Sequence, residues 1–211
     1  SSLTVSTVPY PSVGGFSGNI ETLALLSCSG VYQRLEARAS ASLSDGTTQS
    51  GYGLYKRVAF ESSNAAVADF TSAPTLSGIN RGLVPTSSGV VNITGSFGGL
   101  SSSMTITVSD TPVTVTGLAI ANNIGSSNTL SGSAGTTDTI SVDVTLSDGT
   151  DLDVALLGAT SSSWLSPSDL LTFSSAAPDA VTVSTEGIVS LVKNYHTTVD
   201  LTASDRCGGG G

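Results

Sequence analysis

Two stretches decide the fold. The first is Leu35-Glu36-Ala37-Arg38-Ala39-Ser40-Ala41-Ser42-Leu43, which runs into Ser44-Asp45-Gly46-Thr47. The second is Ile140-Ser141-Val142-Asp143-Val144-Thr145-Leu146, which runs into Ser147-Asp148-Gly149-Thr150. Apolar side chains hold every odd position of the first and every even position of the second. Strict alternation marks a strand with one dry and one wet face, as in antiparallel sheets. Asp-Gly is a strong hairpin signal, because glycine reaches positive φ without a Cβ penalty. The two words lie 103 residues apart, so the chain predicts two copies of one β unit.

Further matches extend the repeat. Ala59-Phe60-Glu61-Ser62-Ser63 resembles Thr172-Phe173-Ser174-Ser175, and Ala66-Val67-Ala68 resembles Ala180-Val181-Thr182. Val90-Val91-Asn92-Ile93-Thr94 aligns with Thr198-Val199-Asp200-Leu201-Thr202. Upstream, Ile20-Glu21-Thr22-Leu23-Ala24-Leu25 aligns with Val115-Thr116-Gly117-Leu118-Ala119-Ile120. The drift in offset places an insertion at 161–167 in the second copy and another within 77–86 in the first. Each copy then spans about 90–95 residues and roughly seven strands, the count of an immunoglobulin-like sandwich. The expected fold class is all-β, two such sandwiches in tandem: domain 1 over 20–110 and domain 2 over 111–205. Residues 1–8 form an N-terminal strand, 9–19 a linker and 206–211 a Gly-rich tail. The junction Ser109-Asp110-Thr111-Pro112 is short, and Pro112 stiffens it.

Composition agrees. The 211 residues are 11% charged, against about 25% for an average soluble domain, and 65 are Ser or Thr. At 38% hydrophobic the chain is not a disordered tail. No apolar run approaches the ~20 residues of a membrane span. Seven basic against sixteen acidic residues exclude a phosphate-binding surface and so a nucleic-acid partner. Residues 1–110 hold six acids and five bases, and residues 111–211 hold ten and two, so the second half carries the acidity.

The ordered set of words resembles the bacterial Ig-like group 2 domain. That set is an alternating strand, Ser-Asp-Gly-Thr, a Phe-Ser strand, Ala-Val, Gly89-Val90 or Gly187-Ile188, and a closing Val-x-Ile/Leu-Thr strand. The family is found in intimin- and invasin-type adhesins, in phage structural proteins and in eukaryotic surface proteins. The resemblance covers both copies. It implies an Ig-like fold, a cell-surface or extracellular place and no catalytic residues.

Two features set the expected mode of assembly. The first copy closes with Ser102-Ser103-Met104-Thr105-Ile106-Thr107-Val108, and the second stops without such a strand. Residues Ser1-Ser2-Leu3-Thr4-Val5-Ser6-Thr7-Val8 resemble the missing piece. One reading has Leu3, Val5 and Val8 complete the second domain of a preceding unit, since an unfinished sandwich exposes unpaired backbone groups. The other has an extra strand on the first domain. Cys28 and Cys207 are too few for a disulfide scaffold or a zinc site. They are expected to bridge adjacent units, the alternatives being free thiols or an intrachain pair.

Chemistry is sparse. His196 is the single histidine, without a partnered nucleophile or phosphate-binding glycine motif, so no enzyme is expected. Asp148, Asp151 and Asp153 form the one acidic cluster; the spacing is not that of an EF-hand, and a plain turn is favoured over calcium. No cofactor is expected otherwise. Asn92-Ile93-Thr94 is an N-glycosylation sequon on an outward position, so glycans count among the candidate partners. The expected function is a structural repeat unit of an extracellular filament, stalk or surface appendage, its partner a further copy or a continuing array. The alternative is an adhesion or carbohydrate-binding module using Trp164, Tyr10 or the 77–86 loop.

Overall fold

The computed structural model describes residues 1–10, 19–70, 82–121, 124, 128–153 and 166–207. These residues are almost entirely strand and turn, with two single-turn helices. The chain forms two compact units, Ser1–Leu26 with Gly30–Pro112, and Ser27–Ser29 with Val113–Gly211.

The first unit holds β1 (Ser2–Tyr10), β2 (Thr22–Leu26), β3 (Arg34–Ser42), β4 (Thr48–Ser50), α1 (Tyr52–Tyr55), β5 (Ala59–Ser62), β6 (Ala68–Asp69), β7 (Gly82–Pro85), β8 (Gly89–Phe97) and β9 (Leu100–Val113). One sheet has the order β1-β3-β7-β6, with β4 also on β3, and the other has the order β2-β9-β8-β5. Val5, Leu23, Leu35, Ala37, Ile93 and Ile106, drawn from both sheets, share one buried cluster. Burying each of the larger side chains contributes about 1.5–3 kcal/mol. The alternation in β3 does what it predicts: Leu35, Ala37, Ala39 and Ala41 are buried. Leu43, past the end of the strand, is 37% exposed.

The second unit holds β10 (Val115–Ala121), β11 (Thr137–Thr139), β12 (Ser141–Leu146), β13 (Asp151–Asp153), α2 (Pro167–Leu170), β14 (Leu171–Ser175), β15 (Val181–Val183), β16 (Ile188–Leu191) and β17 (Leu201–Asp205). Its sheets are β10-β12-β13, β11-β16-β15 and β14-β17. Ile140, Val142, Val144 and Leu146 are all buried, again on the alternate positions. α2 starts with Pro at its first position, where no N–H is needed, and the Ser166 N–H donates to Asp169 Oδ2 at 2.8 Å.

The two Ser-Asp-Gly-Thr turns share their bonds. The Leu43 N–H donates to the Thr47 carbonyl (2.8 Å) and the Gly46 N–H to the Leu43 carbonyl (3.1 Å). Leu146, Thr150 and Gly149 repeat this at 2.8 and 2.9 Å. Asp45 Oδ1 accepts the Thr47 N–H and Asp148 Oδ1 the Thr150 N–H, both at 2.9 Å. Gly46 and Gly149 sit at φ +84° and +81°, the left-handed region the turn requires.

Pairing corrects the alignment of the copies. β10 pairs with β12 as β1 pairs with β3: Leu3 faces Ala41 and Leu118 faces Val144. Ala41 and Val144 each stand two residues before the leucine of the turn word. The counterpart of β10 is therefore β1, and Ile20–Leu25 is not. Residues 1–8 are thus no orphan awaiting another unit. Leu3, Val5 and Val8 are buried, β1 pairs with β3 along its whole length, and Val5 lies in the core of its own unit. A Cβ on Gly95 of β8 would stand 2.7 Å from Val5 Cγ2, so β1 and β8 pack closely. The linker assigned to 9–19 also shifts, because Pro9 and Tyr10 continue β1; residues 11–18 lie outside the described residues. Residues 82–85 of the expected 77–86 insertion are strand β7 on β3, with 77–81 outside the description. Val189 of β16 faces Asp138 of β11 as Leu83 of β7 faces Leu35 of β3, so Gly187-Ile188 opens the counterpart of β7 and does not match Gly89-Val90.

Candidate functional site

The residues singled out for chemistry do not converge. His196 is exposed. Among the described residues no group of three or more His, Cys, Asp or Glu could hold a metal ion. Asp148 is engaged with Thr150 of its turn, and Asp151 Oδ1 accepts the Thr145 hydroxyl at 2.7 Å. Asp153 stands in register opposite Asp143 on β12. Asn92 is exposed on β8, and its Oδ1 accepts the Thr105 hydroxyl at 2.8 Å. Tyr10 is half-buried at the end of β1, and Trp164 lies outside the described residues. One carboxylate is tuned: the Ser88 and Tyr32 hydroxyls donate to Asp110 and hold its pKa below the usual carboxylate value. The same bond raises the Tyr32 pKa.

Cys28 and Cys207 form a disulfide within one chain, across a separation of 179 residues. This corrects the expected bridge between adjacent units. Ser27–Ser29 follows β2 in sequence yet clusters with the second unit, and spacing along the chain could not show that. The Ser27 N–H donates to the Val113 carbonyl at 2.9 Å, and Cys28 takes φ +60°. The Cα atoms of the two cysteines are 5.8 Å apart, within bridging range.

The structural feature that stands out is an opening in the second unit. Phe60 of β5 faces Gly95 of β8, and Phe173 of β14 faces Ala203 of β17, so β8 and β17 are counterparts. In the first unit β8 lies between β5 and β9. In the second, β17 is joined to β14 alone among the described strands. Gly89–Val91 of β8 pair with β9 and not with β5. Their counterparts, 197–199, are not strand, and β17 is five residues long where β8 is nine. A strand needs a partner for its backbone groups, and among the described strands this stretch has none.

The side chains register the same gap. Val5 is 6% exposed, while Ile120, which holds the corresponding place on β10, is 39% exposed. Val91 and Ile93 are buried, and their counterparts Val199 and Leu201 are only half-buried. A cavity of about 570 Å³ opens here within the second unit, lined by Ile120, Val189, Leu191, Val199 and Leu201 among others. Its ionisable lining groups are Tyr195, His196 and Asp200. Among the described residues no strand holds the place beside β17 that β9 holds beside β8, and the groove there was not legible in the sequence.

No protein-family description and no curated protein sequence matches the chain. Among solved structures it is similar to surface layer protein SbsC, domains 1–6, with 14% identity over 97% of this chain and a TM-score of 0.38. It is similar also to the S-layer protein SbsC domains 4 and 5, with 14% identity, a TM-score of 0.37, and coverage of 97% of this chain and 94% of that one. The chain spans 26% of the six-domain structure. Among the described residues no helix is long and apolar enough to cross a membrane.

Proposed function

We propose that this chain is a structural unit of an extracellular filament, stalk or surface appendage, built from two immunoglobulin-like β units in tandem. The observation that carries the reading is the Cys28–Cys207 bond. Disulfides of this kind form and persist in oxidising compartments and are rare in the cytosol. The hydroxyl-rich, charge-poor surface supports the same reading, because it suits faces covered by neighbouring subunits or sugar. Assembly does not use residues 1–8, which serve their own unit.

Immunogold electron microscopy of cells that make the protein tests this, together with non-reducing peptide mapping of the native material. Label on external fibres or on the outer surface, with Cys28 linked to Cys207, is the expected result. Label confined to the cytosol, with both cysteines as thiols, would sink it.

A further inference from the structure

We infer that the Cys28–Cys207 bond makes this chain an extension-limited tether: tension along the polypeptide passes through the sulfur bridge and bypasses residues 29–206. The tether rests on the reading of the chain as part of an external appendage, where chains are pulled, and says how that part carries load.

The reason lies in covalent connectivity. A pull that enters ahead of Cys28 and leaves past Cys207 finds two routes between them. One is the backbone, a separation of 179 residues; the other is the bridge, whose Cα atoms stand 5.8 Å apart. The shorter route goes taut first and takes the load. A folded loop and a melted loop then add the same length, which is none. The loop holds β3 to β9 of the first unit and the second unit from Val113 to Arg206. Among its described strands the second unit has sheets of two and three strands, and a two-stranded sheet is of marginal stability alone. No tension reaches them.

Only residues 1–28 stay on the load path, and with them β1 and β2. Both strands are fastened to residues of the loop. β1 pairs with β3 over nine residues and buries Leu3, Val5 and Val8. Its second edge is tied as well: the Val5 N–H donates to Ser102 Oγ and the Thr7 N–H to Asn19 Oδ1, both at 3.2 Å. β2 lies beside β9 and buries Leu23 and Leu26. The Ala24 N–H donates to Oε1 of the buried Gln33 at 2.9 Å, and the Gln33 N–H donates to the Ala24 carbonyl at 2.8 Å. β2 ends at Leu26, close to the bridge, so load leaves the strand at its end. The fastenings of β1 and β2 therefore form the mechanical clamp. Their failure releases residues 1–28, about 100 Å of extended chain at about 3.3–3.6 Å per residue. Without the bridge the same pull frees everything up to Cys207, about 700 Å.

Optical-tweezers stretching of the full chain, held by handles at its two ends, tests this, with the bridge verified by peptide mapping of the same sample. The oxidised chain is expected to lengthen by about 100 Å at most, and Cys207→Ser by about 700 Å. That difference survives partial unfolding of the variant, because it reads contour length and not stability. At constant force Val5→Ala, on the load path, is expected to shorten the lifetime of the oxidised folded state at least about fivefold. Val142→Ala, in the bypassed β12, is expected to change that lifetime less than about twofold, although loss of a buried side chain lowers the melting temperature. Release of about 700 Å from the oxidised chain, or equal effects of Val5→Ala and Val142→Ala on its lifetime, would overturn the inference. External label with a long oxidised release would leave the appendage reading standing and remove only the tether; a short oxidised release from a protein confined to the cytosol would do the reverse.

Discussion

Removing the Cys28–Cys207 bond tests how much of the second unit's stability is covalent. In the chain-entropy account a disulfide stabilises by restricting the unfolded chain, in proportion to the logarithm of the loop it closes. If the whole chain unfolds, the loop is the full separation of 179 residues, worth about 5 kcal/mol. If only the second unit unfolds, the freed segment runs from Val113 to Cys207, and a loop of about 100 residues still contributes about 4.7 kcal/mol. Measured losses commonly fall at about 2–4 kcal/mol, a large share of the 5–15 kcal/mol that holds a typical domain together. Cys207→Ser therefore lowers the unfolding free energy of the second unit by about 2–5 kcal/mol. Hydrogen exchange at the buried amides of β12 reads the change directly, and 2 kcal/mol appears there as about 30-fold faster exchange. The left-handed backbone of Cys28, φ +60°, adds a second signature. Cys28→Gly loses the bond but relieves a conformation that costs a residue with a Cβ roughly 1 kcal/mol, so it is less destabilising than Cys28→Ser by about that amount. Protection at Val142 and Val144 unchanged in Cys207→Ser, within about 0.5 kcal/mol, would refute the reasoning.

Other expectations follow from packing and titration. Gly95→Ala forces a methyl against Val5 and Phe60, and overpacking of this kind costs about 1–3 kcal/mol; adding Val5→Ala recovers part of it in denaturant unfolding, which fails if β1 does not pack on β8. Leu146→Ala, at a residue 1% exposed, costs about 2–5 kcal/mol, whereas Leu43→Ala, at the matching position that is 37% exposed, costs less than about 1 kcal/mol; equal losses in thermal melts would contradict the burial pattern. The lowered Asp110 pKa means its bonds to Ser88 and Tyr32 contribute above the ordinary carboxylate value and are lost as pH falls through the lowered one. In an NMR titration Ser88→Ala and Tyr32→Phe each move the Asp110 midpoint up, Ser88→Ala the more; a midpoint fixed in both speaks against these bonds.

Much of the β architecture was legible because period-two alternation depends only on which face of a strand is dry. It placed the buried residues of β3 and β12, and Ser-Asp-Gly-Thr placed both turns. The partner of each strand was not legible, for the same reason. Leu3-Thr4-Val5-Ser6-Thr7-Val8 and Met104-Thr105-Ile106-Thr107-Val108 have one pattern because each has one face on a core. Nothing in such a word says which neighbour it bonds, so the likeness of β1 to β9 suggested an exchange between units. Gly187-Ile188 resembled Gly89-Val90 as a glycine before an apolar strand, a pairing of residue types common to many strand starts. The opening beside β17 depends on side chains from β10 and β16, which only the fold brings together.

The twin Ser-Asp-Gly-Thr turns bear on how the protein ages. Asp-Gly is the dipeptide at which an aspartate carboxyl is most readily attacked by the following backbone nitrogen, which yields a ring and then a kinked isoaspartyl link. At Gly46 and Gly149 that nitrogen is engaged, its hydrogen donated to the carbonyls of Leu43 and Leu146. The carboxylates of Asp45 and Asp148 are drawn forward to Thr47 and Thr150. The bonds that shape each hairpin thus also hold nucleophile and target apart, which slows chemical decay at two sites of a protein that, outside a cell, would have no machinery to repair them.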